Sequence, residues 1–440
     1  MAAFDFPNSP AIGASSNGYT WDGEKWVSPV AGTVYVSDTP PVAPVNSLWW
    51  ESDTGNLYVR YYDGDSTQWV LAVPATSAAS ISAVTYVAQT LTAAQQTVAR
   101  QNVYAAPFDA MAYSGMQING SMEVSQEFAV NGGGPATAAG RYIVDGWIAV
   151  SNGPQVVNGS YISGTAPDGF TRAMQLWVGT ANASPGAAVL VMFQQKIEGY
   201  RVARLGWGTA AAQPVTIAFW IRAVRPGSYS GAVRNGAYDR SYPFSFTINA
   251  VNIWEYKTIT IPGDTLGTWA KDSNTGLDLA ITMMAGTSFC APAGAWTAGN
   301  FIGATGTING VASTSDSLIL SGITVLPGIE APSAARSALI IRPLDQELAT
   351  CLRYFEPGYF ESDGWVGSAG TGLAAQMPFK VFKRATPTMA ISGQGGAGVA
   401  IPANFSAVAP RTSGFLAALN QCSGSGGYIG YFSWTADARL

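Results

Sequence analysis

Three features of this sequence predict an all-β fold. Glycine (50) and proline (25) are too abundant for a helix-rich chain of 440 residues. Trp, Tyr and Phe, which suit a pleated and half-buried surface, make up 12%. Alternating runs recur between turn residues, as in Thr216-Ile217-Ala218-Phe219-Trp220-Ile221-Arg222. Hydrophobic residues reach 48% and charged residues only 11%, against about 25% in an ordinary soluble domain. The chain can therefore bury a large core under a nearly neutral surface. Its length allows two to four domains at roughly 100–200 residues each.

Residues 1–73 read as two small aromatic β-meanders. In Tyr19-Thr-Trp21-Asp22-Gly23-Glu-Lys-Trp26-Val27, Asp22-Gly23 is a hairpin signal, because a type I′ turn needs positive φ. The second meander runs from Leu48 to Val70, with turns expected near Asp53–Asn56 and Asp63–Thr67. Pro40-Pro41-Val-Ala-Pro44 joins the two as a stiff, extended spacer. Residues 74–110 read as a linker and a short helical neck. Thr92 and Gln95 have capping-box spacing, so a helix of about ten residues is expected there. A helix that short is marginal alone, and its Leu91/Val98 face would be better buried against copies of itself.

Residues 111–330 read as a two-sheet jelly roll. Nine strand-like runs are expected: Gln117–Gln126, Tyr142–Val150, Ala173–Val178, Ala187–Ile197, Val215–Arg222, Phe244–Ile248, Glu255–Ile261, Leu277–Met283 and Leu318–Val325. Residues 331–440 read as a smaller β-domain. A helical stretch from Asp345 to Phe355 opens it, and strands follow at Gln376–Lys383, Thr388–Ser392, Gly414–Asn420 and Tyr428–Asp437. Gly393-Gln-Gly395-Gly-Ala-Gly398 matches a dinucleotide fingerprint, but Ile401-Pro402 follows where a helix would be needed. It reads as a glycine-rich turn. Asp63-Gly-Asp65 likewise reads as a hairpin turn and not a calcium loop.

Composition also excludes functions. With no histidine there is no Ser-His-Asp triad, no Cys-His pair and no His-ligated metal. Cys290, Cys351 and Cys422 are odd in number and far apart, and they read as reduced, packed thiols. No cofactor is expected. MAAFDFPNSP carries no signal-peptide pattern, and no run approaches 18 apolar residues, so no membrane insertion is expected. A net charge of −5 argues against a nucleic-acid surface.

Several long runs resemble a domain recurrent near the C-termini of phage and prophage tail fibres and related virion proteins. They are Asn119-Gly-Ser-Met122-Glu123-Val-Ser-Gln126, Phe193 to Gly199, Leu205-Gly-Trp207 to Gln213-Pro214, Gly231 to Phe244, Trp254 to Trp269, Arg342-Pro343 to Phe355, and the closing Trp434-Thr-Ala-Asp437-Ala-Arg-Leu440. The resemblance covers about residues 115–440. It implies a homotrimeric virion appendage, assembled in the host cytoplasm, whose distal jelly roll resembles carbohydrate-binding modules. Residues 1–73 would then dock to other virion proteins, and the jelly roll would bind host surface polysaccharide during adsorption. A capsid- or neck-attached decoration fibre without specific receptor binding is the alternative, and a glycan depolymerase is a third reading. Paired carboxylates could hydrolyse a glycosidic bond without histidine, but the acidic residues form no obvious pair in the sequence, so no enzyme activity is expected.

Sugar binding needs flat aromatic faces and polar groups that orient hydroxyls. The candidates are Trp207, Tyr229, Arg234, Asn235, Tyr238, Asp239, Arg240, Tyr242 and Trp269, with Trp177, Trp254 and Trp296 weighed beside them. The structural alternative is a packed loop held by an Asp239–Arg240 ion pair, with most tryptophans in the core. Glu123 resembles a residue of the first strand of carbohydrate-binding jelly rolls, where an oxygen-rich site can hold calcium. Asp316 would be the second carboxylate, and the competing reading is a solvated edge acid.

Overall fold

The structure is a computed structural model. It describes residues 7–8, 10–16, 19–21, 23–27, 34–73, 92, 95, 98–99, 115–368, 373–398, 402–422 and 424–440. The chain divides into two compact units, Met1–Thr90 and Leu91–Leu440.

The first unit holds two sheets. β1 (Ser15–Ser16), β2 (Tyr19–Trp21) and β3 (Trp26–Val27) form one in that order, with Trp21 opposite Trp26 and their rings 5.7 Å apart. Gly23 has φ +110°, but four residues separate the paired tryptophans. The Asp22-Gly23 signal thus marks a longer loop and not the expected two-residue turn. β4 (Val34–Ser37), β5 (Leu48–Glu51), β6 (Leu57–Tyr62) and β7 (Thr67–Val73) form the other. β4 runs parallel to β5, so the Pro40–Pro44 stretch is the crossover between them. Trp49, 2% exposed, is the centre of this small sheet. It stacks on Tyr58 at 4.7 Å, meets Trp69 at 5.6 Å, and donates through Nε1 to the Ser37 carbonyl. Both expected turns are present, with Gly55 at φ +74° and Gly64 at φ +107°.

The 74–90 linker and most of the neck lie outside the described residues. At the neck, the Thr92 amide donates to Gln95 Oε1 at 2.9 Å and the Gln95 amide to Thr92 Oγ1 at 3.4 Å. This is the reciprocal capping box, and Gln95, Val98 and Ala99 are helical.

The second unit is dominated by a jelly-roll β-sandwich. Its first sheet uses β9 (Arg141–Val144), β10 (Trp147–Ser151), β13 (Leu190–Glu198), β15 (Gly227–Arg234), β16 (Arg240–Ile248), β18 (Thr275–Ala285) and β20 (Thr297–Ala298), in the order β20-β16-β15-β18-β13-β10-β9. The facing sheet uses β8 (Gly133–Pro135), β11 (Val156–Ser163), β12 (Arg172–Thr180), β14 (Val215–Ala223), β17 (Glu255–Ile261) and β22 (Ser317–Pro327), in the order β17-β14-β22-β12-β11-β8. A small parallel pair, β19 (Cys290–Ala291) and β21 (Gly303–Ala304), lies outside both. Trp147, Phe193, Phe219, Met174 and Leu176 are among the fully buried side chains between the sheets.

Several sequence expectations need correction. Gln117–Gln126 is not a strand. Asn119 and Met122 sit at positive φ, and the segment's amides bond outside any ladder: Ile118 to Gln195 Oε1, Asn119 to Glu347 Oε1. Met116 and Met122 plug the sandwich core. Tyr142–Val150 is two strands folded at Asp145-Gly146, with Val144 opposite Trp147. β15 was hidden by its composition, Gly-Ser-Tyr-Ser-Gly. Gly231 is needed there, because a Cβ would lie 2.3 Å from the Ala280 carbonyl and 2.5 Å from the Phe244 ring.

α1 (Gly199–Val202) is one turn, and α2 (Leu344–Leu352) is the expected C-terminal helix. No helix among the described residues is long and apolar enough to cross a membrane. The last strands form two three-stranded sheets. One is β23 (Phe355–Val366), β28 (Gly426–Asp437) and β25 (Thr388–Gly398); the other is β24 (Leu373–Pro378), β27 (Gly414–Cys422) and β26 (Pro402–Arg411). Phe360, Phe379, Phe415, Phe432 and Trp434 pack between them. The glycine-rich 393–398 stretch is part of β25, bulged between Ser392 and Gly395, and not the expected turn. β23 and β26 were concealed by Pro357 and Pro402; both are edge strands, where proline is tolerated.

Buried charge ties this domain to the sandwich. Arg342 pairs with Glu347 at 2.9 Å and donates to the Gln117 carbonyl, while Arg353 and the Tyr354 hydroxyl both bond to Glu198. Arg439 bridges Glu127 and Asp437, each at 2.6 Å, and lies over the rings of Tyr142 and Phe355. Close to this joint, Asp145 is buried at the β9–β10 turn and accepts from the amide of Gln126. Burial pushes its carboxyl up to about 6, against the hydrogen bonds from Gln126. In the unfolded chain the proton leaves near pH 4. Between about pH 4 and 6 the folded state therefore keeps a proton the unfolded state has lost, and stability falls as pH rises through that window. The penalty, fully present above pH 6, is about 3 kcal/mol. Asp145→Asn is expected to flatten this dependence. Melting both proteins from pH 4 to 7 checks it, and a constant difference between them would refute the assignment.

Candidate functional site

The structure places the nine predicted sugar contacts mainly in the interior. Arg234 on β15 is buried and bonds Asp278 at 2.6 Å, and its guanidinium lies 4.5 Å from the Tyr238 ring. Tyr238 donates to the other Asp278 oxygen, and burial pushes its hydroxyl up to about 12. Asn235 organises the β15–β16 connection. Its Oδ1 accepts from the amides of Asp239 and Arg240, and its Nδ2 donates to Asp239 Oδ1 and the Thr268 carbonyl. Arg240 pairs with Asp264 at 2.7 Å and not with Asp239, which corrects the expected ion pair. Asp239 itself is exposed. Trp207, Trp269 and Tyr242 are buried in one aromatic cluster around Trp296, with Trp207 and Trp269 rings 4.6 Å apart. Tyr229 is buried and donates to the Arg225 carbonyl. Six of the nine, namely Trp207, Tyr229, Arg234, Asn235, Tyr242 and Trp269, thus have almost no surface to offer a ligand. The reason is that aromatic and charged residues met at turns of this sandwich as packing elements, not as a rim.

Glu123 and Asp316 do not form a cation site either. Asp316 is buried and held by Arg225 at 2.9 Å, while Glu123 accepts from Ser121 and Thr171. Among the described residues no group of three or more metal-ligating side chains is present.

The outer face of the six-stranded sheet is open along β11 and β12 and half-buried at Arg222 of β14, while β22 between them is buried from Ser317 to Leu326. Alternation along β12 sends Met174, Leu176 and Val178 inward, and Gln175 and Trp177 outward. The register continues this face across neighbouring strands. Trp177 lies opposite Asn158 on β11 and Ser317 on β22; Gln175 lies opposite Ser160 and Ile319; Ile319 lies opposite Arg222 on β14. Arg222, Ile319, Gln175 and Ser160 thus form a row about 14 Å long at the usual strand spacing. Trp177 is 41% exposed, and its Nε1 donates to Ser160 Oγ at 3.1 Å. That bond fixes the indole on the sheet. The half-buried amides of Asn158 and Gln175 beside it show no hydrogen bond within the described protein. At the far end, the Arg222 guanidinium stands 5.3 Å from the Trp254 ring, and Trp254 Nε1 is anchored on the Thr165 carbonyl. The face ends where the 330–340 segment covers the sheet, with Trp220 donating to Ser337 and Tyr256 to the Pro332 carbonyl. Sequence reasoning had named Trp177 and Trp254 among the aromatics. The alternation of Gln175 and Trp177 against Leu176 and Val178 was the signal that could have ranked them first.

A second concavity of about 790 Å³ lies between the sandwich edge and the outer face of the β23-β28-β25 sheet. Glu127, Arg141, Phe355, Thr435, Asp437 and Arg439 are among its lining residues. Its two carboxylates are both engaged by Arg439, so this cleft is built around the joint between the domains.

No family model matches the chain, and no curated protein matches it in sequence. Among solved structures, the tailspike protein 4 enzymatically active domain of bacteriophage CBA120 aligns at 10% identity over 49% of this chain and 22% of its own, with a TM-score of 0.26. A CBM4 domain aligns at 15% identity over 48% of this chain and 97% of its own, with a TM-score of 0.24. A family 11 carbohydrate-binding module from Clostridium thermocellum, solved with a β-1,3-1,4-mixed-linked tetrasaccharide, aligns at 14% identity over 46% of this chain and 100% of its own, with a TM-score of 0.23. The aligned part spans less than a quarter of the tailspike domain. None of these likenesses bears on the site, which stands on its own geometry.

Proposed function

We propose that this chain is a structural fibre or spike protein of a phage virion that binds host surface glycan through the outer face of its six-stranded sheet. The observation that carries the reading is Trp177. Its ring is exposed, hydrogen-bonded to Ser160 on the neighbouring strand, and bordered by amides that lack internal partners. Such a ring takes the C–H face of a sugar, and Asn158 and Gln175 meet its hydroxyls. The resemblance to tail fibres supplies the rest of the reading: three copies per appendage, an N-terminal region seated on the particle, and a glycan receptor. Three linked weak sites would act together and raise avidity. The reading is adhesion without cleavage, as the resemblance to tail fibres implies.

Trp177→Ala tests this. An exposed side chain contributes little to folding, so the melting temperature should stay within a few degrees. Binding to host polysaccharide should fall about thirtyfold, as for loss of a central aromatic contact of about 2 kcal/mol. Unchanged binding would refute this face as the site. If phage lacking residues 111–440 of the chain adsorb normally, the decoration-fibre reading replaces the receptor role.

A further inference from the structure

We infer that Arg222 makes this face selective for acidic glycans, by pairing with a sugar carboxylate. The inference rests on the glycan-binding reading and names the ligand's chemical class.

Arg222 is half-buried on the outer face of β14, in register with Ile319 and one strand further from Gln175. The charged groups near it are satisfied: Arg225 is bidentate to Asp316, and Glu255, opposite Ile221 on β17, is bound by Lys257 and Asn249. Arg222 has no such partner. It forms no ion pair among the described residues, and its Nε is buried without any hydrogen-bond partner. Burial alone weakens its hold on its proton, with no carboxylate acting in the opposite sense.

A guanidinium taken out of water without a counter-ion is costly, and natural proteins pair such groups. In this unit Arg225, Arg234, Arg240, Arg342, Arg353 and Arg439 are on carboxylates, and Arg172 and Arg384 are held by hydroxyl or carbonyl oxygens. Arg222 has neither kind of acceptor, and its guanidinium stands 5.3 Å from the Trp254 ring at the end of the face where a ligand would lie. A carboxylate accepts from the two terminal nitrogens together, which matches the fork of a guanidinium better than a lone hydroxyl does. The neighbouring amides and Trp177 would hold the neutral part of the same chain.

The test uses the full-length protein and an array of bacterial surface polysaccharides. Each acidic polysaccharide is printed beside its carboxyl-reduced, neutral form. The wild type is expected to bind acidic members and to lose about ten- to hundredfold on reduction, the range of a charge-assisted pair. Arg222→Gln should lose the same factor on the acidic form and be indifferent to reduction, and Arg222→Lys should fall between. Equal binding to both forms, binding confined to phosphate-bearing polysaccharides, or Arg222→Gln binding like the wild type would each overturn the inference. A purely structural Arg222 would lower the melting temperature and leave the acidic preference intact, which also overturns it. Failure of the underlying reading looks different: binding that Trp177→Ala does not touch, or no binding to any polysaccharide.

Discussion

Asp278→Ala is expected to destabilise the sandwich by about 3–5 kcal/mol, the cost of stranding a buried arginine. Asp278 is fully buried in the first half of β18. It accepts from Arg234 at 2.6 Å, from Gln194 Nε2 at 2.5 Å and from the Tyr238 hydroxyl at 3.2 Å. Removing the carboxylate leaves a guanidinium, an amide and a phenol without their acceptor in a place water does not reach. At roughly 2–4 °C per kcal/mol for a domain of this size, the melting temperature should drop by about 10 °C. Scanning calorimetry checks it, and a change under 1 kcal/mol would show the network is not closed. Replacing Arg234 and Asp278 together with apolar residues should recover much of the loss, because the pair's own desolvation cost disappears with it.

Trp207→Ala is expected to cost about 3–5 kcal/mol as well, by opening a cavity in the aromatic cluster. Trp207 packs edge-on against Trp269 at 4.6 Å and Trp296 at 5.3 Å, and its Nε1 donates to the Gln213 carbonyl at 2.6 Å. Glycan binding per folded molecule should not change, because the ring is buried. Chemical denaturation and polysaccharide binding measured on the same sample separate the two effects. A stable variant with lost binding would return Trp207 to the ligand site. Together with Trp177→Ala this forms a crossed pair, one tryptophan for the core and one for the ligand.

The main elements of the fold were legible where a physical period or a local cap spoke alone. The strands at Val215–Arg222, Glu255–Ile261, Leu277–Met283 and Leu318–Val325 fall within observed strands, and so does the helix core from Asp345 to Leu352. The Thr92–Gln95 capping box is formed as its spacing implies. The errors share one cause. Strands rich in glycine, or broken by proline, carry turn chemistry in their sequence but are strands because a neighbour pairs with them. Gly231 is in a central strand since no side chain fits against Phe244, and Pro357 is in a strand because β23 is an edge. The same limit held at the site. A run such as Arg234-Asn-Gly-Ala-Tyr238-Asp239-Arg240 looks functional in a charge-poor chain, yet its partners Asp278, Asp264 and Thr268 lie tens of residues away.

The sequence by itself determined the class of protein: composition forces an all-β chain with a large core, and the missing histidine removes whole families of chemistry. Only the tertiary structure decided which aromatics face solvent. Trp177 and Trp207 are the same residue type in similar company, and what separates them is the register that turns one outward on β12 and the long-range packing that encloses the other. Burial depends on what the rest of the chain brings alongside, so no local reading of either tryptophan could assign it.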